Sequence, residues 1–150
     1  MKIAIASDHA ALEMKAELAN YVKSAGHEVF DLGPYDNASV DYPDFGYKMA
    51  QAVANGDAER GIVICGSGIG MSIAVNRNPA CRAALVSEPL SASLAREHND
   101  ANVIALGARL IGIEMAKSCV DAFLNTSFGG DRHARRVEKL SNPPMSKVSQ

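Results

Sequence analysis

The chain has 150 residues, with 15 Lys and Arg against 17 Asp and Glu, a formal net charge of -2 and 47% apolar residues. A chain of this size forms one globular domain that buries about two-thirds of its unfolded surface, with no need of disulfides or a structural metal. Its near-zero charge excludes a broad basic face for nucleic acid or an acidic membrane, and no apolar run reaches the ~20 residues of a bilayer span.

In chain order, residues 2–6 (KIAIA) read as a strand, too short for a secretory apolar region and followed at once by Asp8 and His9. Residues 10–25 follow as a helix with Leu12, Ala16, Ala19 and Val22 or Lys23 near one face, stopped by Gly26. A second strand at 28–31 precedes the longest connection, 31–43, whose turn formers suit the rim of a site. A helix at 42–55, a strand at 61–65, a helix at 68–76, a strand at 83–86, a helix at 89–98, a strand at 103–106 and a helix at 112–125 continue the alternation. The last helix, 131 to about 140, starts after FGGD with Asp131 as its N-cap and is expected to pack on a partner. Residues 1–140 are thus one domain, and 141–150, with two prolines, a loosely ordered tail. Strands alternating with helices predict an α/β fold around a parallel sheet, with all five strands short enough to be buried from both faces.

Ligands of open α/β sheets bind beyond the carboxyl ends of the strands. That rule selects residues 7–9, 65–70, 87–88 and 107–109. The segment GIVICGSGIGMSIAVN (61–76) passes from strand to glycine-rich turn to helix without a charge. Gly66, Gly68 and Gly70 allow close approach of the backbone, and N–H groups converging at the helix start suit an anion; a purely structural turn is the alternative. The lysine of a P-loop is missing, and GxGxG after the third strand is not the dinucleotide fingerprint.

Cys65 borders this turn, so the same N–H groups would stabilise its thiolate as a base; otherwise it is a buried strand-end thiol. Cys81 and Cys119 read as small core residues, and the three cysteines match no zinc or CxxC spacing, as in a reduced, cytoplasmic protein. His98 closes a helix, where positive charge is favoured, and is either a proton donor or a simple cap. Asp8 and His9 are placed to orient hydroxyls, although Asp8 also suits an N-cap, and His27 is taken as surface. Arg132 and Arg136 lie one helical turn apart and can clamp a phosphate, with Arg109 a third contact; a solvated helix face is the alternative. No histidine has the spacing of a metal ligand set, which predicts no metal site.

The motifs SDHAALEMK, DYPDFG, ICGSGIGMSIAVNR, RAALVSEPLSASLAREHNDANVIALGAR and GGDRHARRVEKL, in this order over nearly the whole chain, resemble the ribose-5-phosphate isomerase type B family. The resemblance implies a three-layer α/β/α Rossmann-like domain with a five-stranded parallel sheet and a C-terminal helix packing on a partner subunit. It implies reversible isomerisation of D-ribose 5-phosphate and D-ribulose 5-phosphate, in the non-oxidative pentose phosphate branch, through a cis-enediolate without metal or organic cofactor. Cys65 would be the base and His98 the acid that opens the ring. Gly66, Ser67, Gly68, Ile69 and Gly70 would form the anion hole, with the Ser67 hydroxyl moving protons between the sugar oxygens.

By the same resemblance Asp8, His9 and Asn99 would hold hydroxyls and the ring oxygen, Tyr42 would line the opening, and Arg109, Arg132 and Arg136 would take the phosphate. The sites would be shared between subunits of a homodimer or homotetramer. Some members use serine at the cysteine position and a glutamate after the turn; Cys65 and Met71 here favour thiolate chemistry. Ser67 stands where many relatives have threonine, and GGDR replaces a more glycine-rich approach to the arginines. Other readings are an allose- or galactose-6-phosphate isomerase, a non-enzymatic sugar-phosphate-binding protein, and an oxidoreductase with Glu88 on a nucleotide ribose.

Overall fold

Strand β1 (Lys2–Ser7) alternates side-chain size as well as direction: Ile3 and Ile5 face one side, Ala4 and Ala6 the other, and all four are fully buried. The computed structural model, which describes residues 1–145, carries this asymmetry through the sheet. After a short 3-10 turn (His9–Ala11) come α1 (Leu12–Ser24), β2 (Glu28–Asp31), α2 (Tyr42–Ala54), β3 (Arg60–Cys65) and α3 (Ile69–Val75). Then follow β4 (Ala83–Leu85), α4 (Pro89–Asn99), β5 (Val103–Gly107), α5 (Ile113–Asn125) and α6 (Arg132–Ser141). All strands are parallel, in the order β2-β1-β3-β5-β4. Helices α1, α4 and α5 pack Leu18, Val22, Ala92, Ala95, Val120 and Phe123 on the isoleucine face. Helices α2 and α3 pack Met49, Ala50, Met71 and Val75 on the alanine and valine face. The result is the expected three-layer α/β/α Rossmann-like domain. Among the described residues no helix is long and apolar enough to cross a membrane.

Three expectations need correction. Only β1, β3 and β5 are buried from both faces; β2 is largely exposed and β4 only partly buried, because the strand order puts them at the two edges. The buried stripe of α1 is Lys15, Leu18, Ala19 and Val22, with Ala16 exposed, because the Lys15 ammonium turns inward to an ion pair. Asp131 precedes α6 with φ +48 and makes no side-chain capping bond.

Helix α6 packs on the end of its own α4 and buries only Val137, which leaves most of its surface open. It runs to Ser141, residues 142–145 have no regular structure, and the rest of the expected loose tail, 146–150, lies outside the described residues.

Connections from β1 to β2 and from β3 onward diverge on either side of the β1/β3 pair. The crevice at such a reversal is where open α/β sheets take ligands. Cys65 ends one of these two strands and Asp8 follows the other.

Candidate active site

The glycine turn after β3 is seated on the end of β5. Gly68 has φ +78, and a Cβ there would lie 2.7 Å from Leu85 Cδ1 and 2.9 Å from the Leu106 carbonyl carbon, so glycine is required. That seat aims the Gly68 N–H at Cys65 Sγ, 3.1 Å away, giving the buried sulfur one donor suited to an anion. Ser67 Oγ accepts from the Ile69 N–H at 3.2 Å. The Tyr42 ring covers Gly70, where a Cβ would be 2.6 Å from Cε2. Arg109 lies over Gly66, its stem and guanidinium 3.3–3.4 Å from where a Cβ would stand. Bonds from Ala108 N–H to the Cys65 carbonyl (2.9 Å) and from Arg109 N–H to the Gly66 carbonyl (3.0 Å) hold it there.

Next to this turn, Asp8 caps the short 3-10 turn by accepting from the Ala10 N–H at 3.0 Å. His9 Nδ1 accepts from the Val40 N–H at 3.1 Å. A backbone N–H only donates, so the neutral ring carries its proton on Nε2 and offers that donor to a ligand. The rim that supplies Val40 is pinned by Lys15, whose Nζ reaches Asp31 Oδ1 at 2.7 Å and the Pro34 carbonyl at 2.6 Å.

Helix α4 runs antiparallel to the strands, and its 11 residues cover roughly 16 Å. His98 and Asn99 therefore sit at the opposite edge, with Asn99 beside the starts of β4 and β5. There the His98 ring stacks on His133 of α6, centroids 4.4 Å apart and planes 15° apart. The Gly129 N–H bonds to the Glu97 carbonyl at 2.9 Å, and Arg132 and Arg136 follow one turn apart.

The expected site residues thus form two groups. Asp8, His9, Tyr42, Cys65, residues 66–70 and Arg109 share the carboxyl edge; His98, Asn99, Arg132 and Arg136 share the other. One chain does not bring them together.

Four residues without a role in the sequence reading form ion pairs in the structure: Lys15 with Asp31, and Arg82 and Arg96 both with Asp100. Of these only Asp100 leaves a local trace, an acid at a helix carboxyl end, where the helix dipole disfavours it.

Other titratable groups divide clearly. Burial pushes the Cys81 and Cys119 thiols up, as suits core cysteines. Hydrogen bonds from the Ser91 hydroxyl and N–H hold the Glu88 carboxyl low; Glu88 is the N-cap of α4, which accounts for it without a nucleotide. Loss of water and then Arg132, His98 and Arg136 lower His133. Among the described residues no group of three or more His, Cys, Asp or Glu is disposed to hold a metal ion.

Against known proteins, the family model described as Ribose/Galactose Isomerase matches residues 3–140. The chain is 44% identical over 140 residues to ribose-5-phosphate isomerase B of Escherichia coli, covering 93% of this chain and 94% of that one. It is 42% identical to a D-erythrulose-4-phosphate isomerase of Pectobacterium atrosepticum, covering 93% of each. Among solved structures it matches ribose-5-phosphate isomerase B of Clostridium thermocellum with TM-score 0.92 and 51% identity, over 94% of this chain and 95% of the other. It also matches the Mycoplasma genitalium ribose-5-phosphate isomerase B with bound ribulose 5-phosphate, with TM-score 0.89 and 42% identity over 93% of each chain.

Proposed function

The chain belongs to the ribose/galactose isomerase family, and we propose that it interconverts D-ribose 5-phosphate and D-ribulose 5-phosphate at sites shared by two copies of itself. The observation that carries this reading is the Cys65 sulfur with a turn N–H aimed at it, at the sheet reversal, beside Asp8 and His9.

The Cys65 thiolate takes the C2 proton of the open-chain aldose. The C2–H electron pair becomes the C1–C2 double bond, and charge moves to O1 as a cis-enediolate faced by the 66–70 N–H groups. The Ser67 hydroxyl relays the O2 proton to O1, and the thiol returns its proton to C1, giving the ketose without gain or loss of electrons. No metal or organic cofactor enters these steps. His98 donates to the ring oxygen as the cyclic sugar opens. Asp8, His9 and Asn99 hold hydroxyls, Tyr42 borders the opening, and Arg109 with Arg132 and Arg136 takes the phosphate.

The separation of His98, Asn99, Arg132 and Arg136 from Cys65 supports a shared site. A homodimer, alone or paired into a homotetramer, would let the α4 and α6 ends of one copy meet the glycine turn of the other. The three free thiols suit a reducing compartment, the cytoplasm.

The test is subunit complementation. Cys65→Ala and His98→Ala homomers should each be inactive, whereas refolding an equal mixture should restore about a quarter of wild-type activity, because half the dimers are mixed and each has one intact site. Activity in a monomeric fraction, or none in the mixture, refutes sharing. Rates on four-, five- and six-carbon aldose phosphates set the substrate, a question that the erythrulose-phosphate relative makes specific. Sugar-phosphate binding with no turnover on any would leave the non-enzymatic reading.

A further inference from the structure

Asp100 combines two features that cost stability with a third, a pair of arginine partners, that offsets them. It is a non-glycine residue in the left-handed region, φ +45 and ψ +44. It sets a negative charge at the carboxyl end of α4, against the helix dipole. It also engages two arginines, one of which, Arg96, is only 6% exposed. Glycine would make the same turn at lower cost, so the carboxylate has work beyond ending the helix.

Its two oxygens serve different arginines, Oδ1 accepting from Arg96 Nη1 at 2.8 Å and Oδ2 from Arg82 Nη2 at 3.4 Å. Each arginine then grips one end of the segment that carries α6. Arg96 Nε donates to the Thr126 carbonyl at 3.2 Å, where α5 has just ended. Arg82 Nη1 donates to Ser141 Oγ at 3.3 Å, on the last residue of α6.

Arg82 is itself fixed to the sheet. Its N–H donates to Asn102 Oδ1 at 2.7 Å, its carbonyl accepts from the Asn102 N–H at 3.1 Å, and its Nε donates to the Asp100 carbonyl at 2.9 Å. Apolar packing does little here. Helix α6 buries one side chain, and a cavity of about 830 Å³ opens between Arg82, Asn99 and the 140–145 segment.

We propose that Asp100 is a specificity-determining positioning residue. Through Arg96 and Arg82 it fixes the span between His98–Asn99, which face the sugar, and Arg132–Arg136, which face the phosphate. That span sets the carbon-chain length the site accepts. The inference rests on the isomerase reading above and deepens it.

The experiment measures kcat/KM for erythrose 4-phosphate, ribose 5-phosphate and allose 6-phosphate in the wild type, Asp100→Asn and Ser141→Ala. Asparagine tolerates the left-handed region, so Asp100→Asn keeps the turn while turning an amide donor toward an arginine. A displacement near 1 Å costs up to about 100-fold in rate, so the ratio between chain lengths should shift about tenfold in Asp100→Asn, and in the same direction but less in Ser141→Ala. A uniform fall on all three substrates means a merely structural role and overturns the proposal, as does an unchanged ratio. Should Asp100→Asn fail to fold, Ser141→Ala, which removes a single hydroxyl, decides alone. A wild type silent on all three substrates refutes the isomerase reading itself, a result distinct from an active wild type whose preference the variants leave unmoved.

Discussion

Replacing Gly68 by alanine tests whether the turn's seat on β5 aims its N–H at the thiol. The new methyl would stand at φ +78, 2.7 Å from Leu85 Cδ1 and 2.9 and 3.0 Å from the Leu106 carbonyl carbon and oxygen. Leu85 is 47% exposed and its side-chain end can swing away. Leu106 cannot, since β5 is hydrogen-bonded between β3 and β4. The left-handed backbone costs about 1–2 kcal/mol and overpacking about 1–3 kcal/mol, together about 2–5 kcal/mol. Gly56→Ala supplies the control. Its φ is +79 and nothing lies within 4 Å of the added carbon, so it carries the backbone cost alone. Urea unfolding of both variants isolates the collision as their difference. Relief of that collision lifts the turn off Leu106 and swings the Gly68 N–H off Cys65 Sγ, so turnover of Gly68→Ala should fall about 100-fold. Equal destabilisation of the two variants, with Gly68→Ala at wild-type rate, would refute the reasoning.

Two further predictions concern charges away from the thiol. Lys15 is buried, whereas the Asp31 side chain is 39% exposed, so the two sides of this pair should not be equivalent. Asp31→Ala strands the ammonium with the Pro34 carbonyl and should cost about 3 kcal/mol, while Lys15→Met leaves a carboxylate that water reaches and should cost about 1 kcal/mol. Urea midpoints in the reverse order would contradict this. For His133, desolvation and then the neighbouring Arg132, His98 and Arg136 hold the ring below its usual value of 6.5. Its folded value is the lower one, so its contribution to the docking of α6 is complete above about pH 6.5 and is lost as pH falls through the lowered value. Amide protection factors in α6 should therefore drop as pH falls below 6.5 while those of the sheet hold, and His133→Phe should abolish the drop; an identical profile in that variant rules His133 out as the cause.

Periodicity made the sheet and its carboxyl-edge residues readable, because strand ends are local events. Register and exposure were less so. Lys15 counts as polar in any hydrophobic pattern, and its partner Asp31 is sixteen positions on; with the lysine discounted, the stripe on α1 is displaced onto Ala16. The incomplete burial of β2 and β4 follows from strand order, a non-local property that their composition does not encode. Asp100 stood within the EHND motif, but the features that single it out are a positive φ and the guanidiniums of Arg82 and Arg96, visible only in three dimensions.

The division of the site was legible in principle without coordinates. In a parallel α/β unit a residue just past a strand lies at the carboxyl edge, and a residue closing the following helix lies at the opposite edge, because the chain must return before the next parallel strand begins. Cys65 is of the first kind and His98 of the second, so no packing of one such domain makes them neighbours. A reaction that needs both draws them from two chains. For the site proposed above, a twofold axis would be the economical arrangement, since it would give each turn the α4 and α6 ends of the other copy and leave neither half-site unmatched. The light attachment of α6 to its own domain, one buried valine and a few polar anchors, is compatible with the shared site proposed above, since it leaves most of the helix surface open.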